Sequence, residues 1–574
     1  MRWVIPTIGS LLFLAGCSQT PTTPTAAKTG GTSPSQKLYR PNGDTTVGID
    51  MSQIKNEDLK KIYAYLDDHY DEDVERLQKF IRQPSISNSG EGIQESAEMV
   101  KGFFDELGCQ ESKVYDVGVT EWGSPGNPVV YAKCDEGAPK TVVFYWMYDT
   151  MPVTQPDNWV VPPFEAKIVD GATAKVNPEF KKVLVARGAT NTKGGEMAEL
   201  NALMSIKAVM GKLPVNVIWV AEGDEERMDI GLRKFVMDHP DLFKGADAMF
   251  GLGEGSSEGC VYVELTTSGK SWGRGPVESD IHGSNKRSVD SPAWRHIKAL
   301  SSLVSEDGNT PKIEGWLDNI IPPTPEQLDR IRKRVEGATI EQMAKNLGVA
   351  RYIADNPFDV IRMQSYGTSF NMDGIWGGNM YAGGAGAILP NKVTSKHNSR
   401  YMPNMNGIDL TKKIRAQLDK NGYKDVEMKV IGDVPWSTVD PENDMVKATR
   451  KMFQQFGSNS PRFAMEQWEE APSKADRQLV AGNAKKEQGF FEANHIPSAA
   501  ELGGYWPSYL FNGGKVGQRV APVSMIIGGG SVGSGGRAHA ANEFFVIEGA
   551  GKTYGMAGAE KSVATILFNF AGKN

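Results

Sequence analysis

Thr141-Val142-Val143-Phe144-Tyr145-Trp146, followed by Met147-Tyr148-Asp149-Thr150-Met151-Pro152, is an apolar run of strand length that ends on an acid and a proline. Two similar runs, at 129–132 and 215–220, are separated from it by helical stretches such as 196–210. Strands alternating with helices of that length specify an α/β domain on a mainly parallel sheet. In such sheets ligand sites lie just beyond the C-terminal ends of the strands. Asp149 follows one run and the cluster Glu222-Gly223-Asp224-Glu225-Glu226 follows another, so the two are expected to meet in space although they are far apart in the chain.

Upstream, residues 56–82 have helical apolar spacing (Leu59, Ile62, Leu66, Val74, Leu77, Ile81) and stop at Gln83-Pro84, and 96–107 form a second helix. Near Val263 the pattern changes to that of an α+β insert, with a helix at 292–304, a proline-rich connector at 320–325, then Gly-rich strands. Around Pro435 the α/β character returns, closing with a helix at 555–570. No internal repeat is evident.

At 574 residues and 40% apolar composition, the chain is long enough for two domains. Its net charge of -7 offers no basic field for nucleic acid, which points to a small-molecule or peptide ligand. A basic start at Arg2 and a short apolar stretch at 3–14 have the form of an export signal. The signal ends in Leu14-Ala15-Gly16-Cys17, which resembles the bacterial lipoprotein box. Lipidation of Cys17 is expected to anchor the chain in the cell envelope, and Ser18 resembles the pattern for sorting to the outer membrane, facing the periplasm. Residues 18–52 are rich in Thr, Pro, Ser, Gly and Lys and read as a flexible tether. The remaining cysteines, Cys109, Cys134 and Cys260, allow one disulfide at most, and buried apolar thiols are the expected state.

Four strings in order carry the chemistry: Tyr148-Asp149-Thr150-Met151-Pro152; Ala186-Arg187-Gly188-Ala189-Thr190-Asn191-Thr192-Lys193-Gly194; Asp224-Glu225-Glu226; and His539-Ala540-Ala541-Asn542-Glu543. With Ser279-Asp280-Ile281-His282 and Ser399-Arg400-Tyr401-Met402-Pro403-Asn404-Met405 in the insert, they resemble the di-zinc metallopeptidase family of carnosinase, glutamate carboxypeptidase and aminoacylase, closest to its carnosine-dipeptidase-like branch. The resemblance spans roughly residues 55–570. It implies a zinc-peptidase-like α/β catalytic domain with a mainly parallel mixed sheet and an inserted α+β lid that makes a homodimer. The expected division is signal 1–17, tether 18–52, catalytic 53–262, lid 263–434 and catalytic 435–574.

Carried over by position, Glu225 resembles the general base, Glu226 a zinc ligand and His539 the late histidine ligand, while Asp149 resembles the carboxylate that orients a ligand. His282 matches the histidine that reaches a neighbouring subunit's site to stabilise the oxyanion. Arg400 matches the arginine that grips the substrate carboxylate, a task for which its planar fork is suited.

The departures are as informative. Tyr148 stands where the family carries its first histidine ligand. A phenol of ordinary pKa about 10 is a poor metal ligand near neutrality, so Tyr148 is assigned instead to substrate binding. Asn191 replaces the bridging aspartate, and its neutral amide cannot offset repulsion between two dications. The remaining carboxylate aligns with Gly253, with Glu254 one residue later as its substitute. Ala387 and Tyr505 stand where threonine and serine are common. The expected metal set is therefore reduced to one zinc ion on His539, Glu226 and Glu254, with Asn191 helping, a set that also allows none.

Without the resemblance, Asp224-Glu225-Glu226 reads as a solvated acidic turn, His539 as a loop histidine, His282 as a cap and Arg400 as a salt bridge. His69, His239, His296, His397 and His495 match no motif and read as structural, and the spacing around Lys193 does not fit a phosphate loop. Two functions follow: hydrolysis of a peptide or amide bond in a small carboxylate-bearing substrate, a dipeptide or N-acyl amino acid, or binding of such a ligand without turnover. A third reading has Tyr148 and Glu225 running metal-free acid/base chemistry. Hydrolysis is the expected function.

Overall fold

A computed structural model describes residues 49–251, 257–380, 383–440, 442–457, 505–512, 515–516, 519–520, 523–550 and 553–574. The signal, Cys17, most of the tether, Gly253 and Glu254 lie outside the described residues.

The apolar runs form one six-stranded mixed sheet, in the order Glu111–Tyr115, Val129–Cys134, Asn216–Glu222, Thr141–Met147, Ala248–Phe250, Ile526–Gly528. Its last four strands run parallel and its first two are antiparallel. Thr141–Met147 is buried at every position after the first, as a central strand covered on both faces must be. An aromatic layer of Phe80, Phe103, Phe104, Phe144, Trp146, Trp219 and Phe250 fills the space between the sheet and its helices. Burying each such side chain contributes about 1.5–3 kcal/mol. Helices Gly194–Met210, Met556–Phe570 and Glu57–Asp68 pack together over the sheet.

The single helix expected over 56–82 is two, Glu57–Asp68 and Tyr70–Arg82. The chain breaks at His69, whose Nδ1 bonds the Tyr65 carbonyl at 2.9 Å while its ring stacks on Tyr65. The cysteine expectation also needs correction. Cys109, just past the helix Ile93–Leu107, and Cys134, at the end of a strand, form a disulfide with Cα atoms 4.1 Å apart. Cys260 stays a free, buried thiol.

A second, antiparallel sheet joins Lys182–Val185 to Phe544–Glu548, flanked by Lys167–Val169 and Gly535–Gly536. It brings the loops bearing Asn191 and His539 together. The lid is a third sheet, in the order Ser369–Trp376, Lys392–Tyr401, Gly259–Ser268, Glu427–Val434. Val261, Val263 and Leu265 alternate inward from Gly259–Ser268 against Leu410, Ile414 and Leu418 of the helix Gly407–Lys420. That strand crosses the expected 262/263 boundary because nothing in Gly259-Cys260-Val261-Tyr262 interrupts it. Gly259 is required there, since a Cβ would meet the Tyr401 ring at 2.0 Å. No described helix is long and apolar enough to cross a membrane.

Candidate functional site

Thr141–Met147 and Asn216–Glu222 are parallel neighbours with Met147 opposite Glu222, so the residues just past them emerge together. The fully buried Asp149 uses that proximity. Its Oδ1 accepts from the Glu225 amide at 3.2 Å and its Oδ2 from the Glu226 amide at 3.1 Å. The acidic triplet is thus held as a turn capped by another strand's carboxylate. Burial, then the charges of Glu226 and Asp224, push Asp149 up to about 8. Asp224 turns away from the cleft, accepting from the Asn127 amide at 2.6 Å and pairing with Arg227 at 2.9 Å.

Glu225 is buried, and desolvation followed by the charges of Glu226, Asp229 and Asp149 raises its carboxyl well above the usual range. Glu226 meets two chain-distant groups. Its Oε1 lies 2.9 Å from the Asn191 amide nitrogen and 2.9 Å from His539 Nε2, and Asn191 lies 3.1 Å from the same imidazole nitrogen. The hydrogen bond to Glu226 raises the His539 pKa, against the effect of burial.

Glu543, quoted above only as part of a motif, organises the loop before the helix Gly194–Met210. Its carboxylate accepts from Gly188 N (3.1 Å), Thr190 N (3.0 Å) and Asn191 N (2.9 Å) and pairs with buried Arg187 at 2.6 Å. Asn542 beside it accepts from Val160 N and donates to Asn158 O. The strand pairing of Phe544–Glu548 with Lys182–Val185 brings these groups together.

From the lid, Arg400 lays its guanidinium 4.7 Å from the Tyr505 ring centroid and bonds Glu258 at 3.2 Å. The Tyr505 hydroxyl donates to the Glu225 carbonyl at 3.4 Å. Burial, then Glu225 and Glu226, raise that phenol's pKa well above its ordinary value. Tyr505, Glu258 and Arg400 therefore border the Glu225–Glu226 turn. Glu258 had no motif to mark it in the sequence.

Two expected site residues lie elsewhere in the chain. Tyr148, expected at the substrate, is fully buried under Gly223, and its hydroxyl donates to the Pro128 carbonyl at 2.6 Å. Packing under Gly223 and the bond to Pro128 engage its phenol within the protein. His282 is exposed on a two-stranded ribbon with Ile388–Leu389, where its Nδ1 bonds Ser284. It is not brought to Glu225 within this chain.

Whether these residues suit zinc can be tested on the donors themselves. Ligands bound to zinc at 2.0–2.2 Å stand roughly 3.3 Å apart in a tetrahedron. Glu226 Oε1, His539 Nε2 and the Asn191 amide approach that spacing, and turning the amide by half a rotation would present its oxygen. These donors fit a metal ion that takes a further ligand. Among the described residues no cluster of three or more His, Cys, Asp or Glu side chains could hold a metal.

The family described as Peptidase family M20/M25/M40 matches residues 144–554. The Cys-Gly metallodipeptidase DUG1 of Candida albicans is 27% identical over 421 residues, 68% of this chain and 82% of that protein. The human Beta-Ala-His dipeptidase is 25% identical over 421 residues, 70% of this chain and 80% of that protein. In fold, the chain is similar to human carnosine dipeptidase 1, with a TM-score of 0.69 at 20% identity over 90% of this chain and 100% of that one. Dug1p from Saccharomyces cerevisiae gives 0.68 at 22% identity, over 90% and 98%.

Proposed function

The chain belongs to peptidase family M20/M25/M40, and from that membership we propose that it is a metallodipeptidase-type hydrolase cleaving a peptide or amide bond in a small carboxylate-bearing substrate, a dipeptide or N-acyl amino acid. The observation that carries this reading is the Asp149 carboxylate holding the Glu225 and Glu226 amides while Glu226 faces His539 and Asn191.

In this reading Glu225 is the general base. It takes a proton from water as the oxygen adds to the scissile carbonyl carbon, then returns it to the leaving nitrogen as the C–N bond breaks. Asp149 positions that carboxylate by fixing its backbone. His539 and Glu226 would hold a single zinc ion, with the Asn191 oxygen and Glu254 completing the set. Bound there, zinc supplies Lewis acidity to the carbonyl. Arg400 anchors the substrate carboxylate. His282, exposed on the lid, acts at the site of a second copy in a homodimer. Lipidation of Cys17 would place the protein on the bacterial envelope, at the outer membrane facing the periplasm, and the Cys109–Cys134 disulfide supports an oxidising compartment.

Burial of Tyr148 and the neutral Asn191 favour a second reading, ligand binding without turnover. The deciding experiment is a dipeptide and N-acyl amino acid panel with added zinc, run on the full chain and on Glu225→Gln. Hydrolysis lost in Glu225→Gln supports the hydrolase. Dipeptide binding with no hydrolysis in either protein supports the second reading. Elemental mass spectrometry showing two zinc equivalents would refute the single-ion site.

A further inference from the structure

The anion-binding arm of Arg400 is already engaged by the protein itself. Arg400 lies opposite Cys260 across the lid sheet, and Glu258 immediately precedes the strand containing Cys260. The Arg400 Nη1 to Glu258 Oε1 distance is 3.2 Å, with side-chain exposures of 27% and 13%. Asp373, the other lid carboxylate that feels Arg400, is held by Asn371 at 2.7 Å and Asn398 at 2.6 Å and is also drawn by Lys396. Glu258 is therefore the acid paired directly with Arg400, whose charge Glu225 also feels. The Tyr505 ring lies against the guanidinium, and its hydroxyl points to the Glu225 backbone, so the pair borders the cleft.

A ligand carboxylate that approaches Arg400 must share or displace Glu258. Leaving a largely buried carboxylate without its partner is costly. A ligand whose carboxylate-bearing residue also carries a cation repairs both ends, carboxylate to Arg400 and cation to Glu258. A ligand with an apolar side chain cannot. We propose that Glu258 is a specificity-determining residue that makes the Arg400 subsite selective for a terminal amino acid with a cationic side chain, so that the substrate class is a dipeptide ending in lysine or a similar basic residue. The proposal rests on the reading of Arg400 as the carboxylate anchor.

Its test is a binding measurement that needs no turnover. Isothermal titration of the full chain carrying Glu225→Gln compares Ala-Lys with Ala-norleucine, which has the same alkyl chain without the ammonium group. Ala-Lys should bind about tenfold tighter, a modest value for a partly exposed charge pair. Adding Glu258→Gln should bring the two affinities to within about twofold. Equal affinities in the Glu225→Gln chain overturn the proposal without any further variant. A lysine preference that survives Glu258→Gln also overturns it, as does failure of both dipeptides to bind. Turnover by the unmodified chain separates this from the broader reading: equal kcat/KM for the two dipeptides leaves the hydrolase standing and removes only the role of Glu258.

Discussion

The sheet end that carries the catalytic candidates and the inner face of the lid both bury titratable side chains, with opposite consequences. Below the sheet end, burial pushes Asp73 up to about 7 and Glu196, Glu199 and Glu222 well above the carboxylate range. In the lid, burial pushes His296 and His397 down to about 4. In both regions burial favours the neutral form, which is the protonated acid in one and the deprotonated imidazole in the other. The lid histidines form a satisfied chain. His397 Nδ1 donates to Asn371 O, its Nε2 accepts from Ser395, Ser395 accepts from His296 Nε2, and His296 Nδ1 accepts from Thr267. Near the site, Glu196 and Glu222 each leave one buried oxygen without a partner. The two lid histidines are fully satisfied and the acids Glu196 and Glu222 are not, although the lid too leaves a buried Arg415 Nε unpartnered.

The sharpest way to break that division is to remove chemistry from the acidic end. Glu225→Gln should lower kcat by about 10³-fold with little change in melting temperature, measured on whichever dipeptide the chain hydrolyses. A loss below tenfold would move the base elsewhere. Glu543→Gln leaves Arg187 buried without its carboxylate and should cost about 3 kcal/mol in denaturant unfolding, while removing the anchor of the Asn191 loop. An unchanged midpoint would mean that the second sheet does not depend on this pair.

The pH dependence comes next in size. The folded-state values of the acids lie above an unfolded value of about 4. Their contribution to stability is therefore full below about pH 4 and is lost as pH rises through the folded values, about 7 for Asp73. The imidazoles fall from about 6.5 unfolded to about 4 folded. Their contribution is present above about pH 6.5 and is lost as pH falls towards 4. His397→Gln should remove the part of the acid-side destabilisation that its own imidazole contributes, read as the difference from the unmodified chain in unfolding free energy between pH 7 and 4. An unaltered acid limb would place that dependence outside the lid. The smallest effect is expected from Tyr148→Phe, about 1 kcal/mol for the lost bond to Pro128, with kcat/KM unchanged. A large loss of activity would return Tyr148 to the substrate.

Much of the architecture was legible in the residues. The apolar runs became the central strands, and the acids that follow them met because adjacent parallel strands end on the same side. Asp149 meets Glu225 and Glu226, and Glu226 meets Asn191 and His539. The direction of Tyr148 was not legible, since alternation along a strand says nothing of what waits under Gly223 or at the Pro128 carbonyl. The Cys109–Cys134 disulfide was not legible because pairing depends on where the end of a helix meets the end of a strand.

The sequence by itself determined the α/β core and the α+β insert, because helix and strand periodicity is written in neighbouring residues and needs no distant partner; the reading of the acidic turn as a site came from the resemblance of its motif. Only the tertiary structure decided which carboxylate answers Arg400, which one anchors the Asn191 loop, and which phenol faces the cleft. Those choices depend on distances between segments far apart in the chain, and a buried charge or hydroxyl takes the partner that the packed strands bring within hydrogen-bond reach.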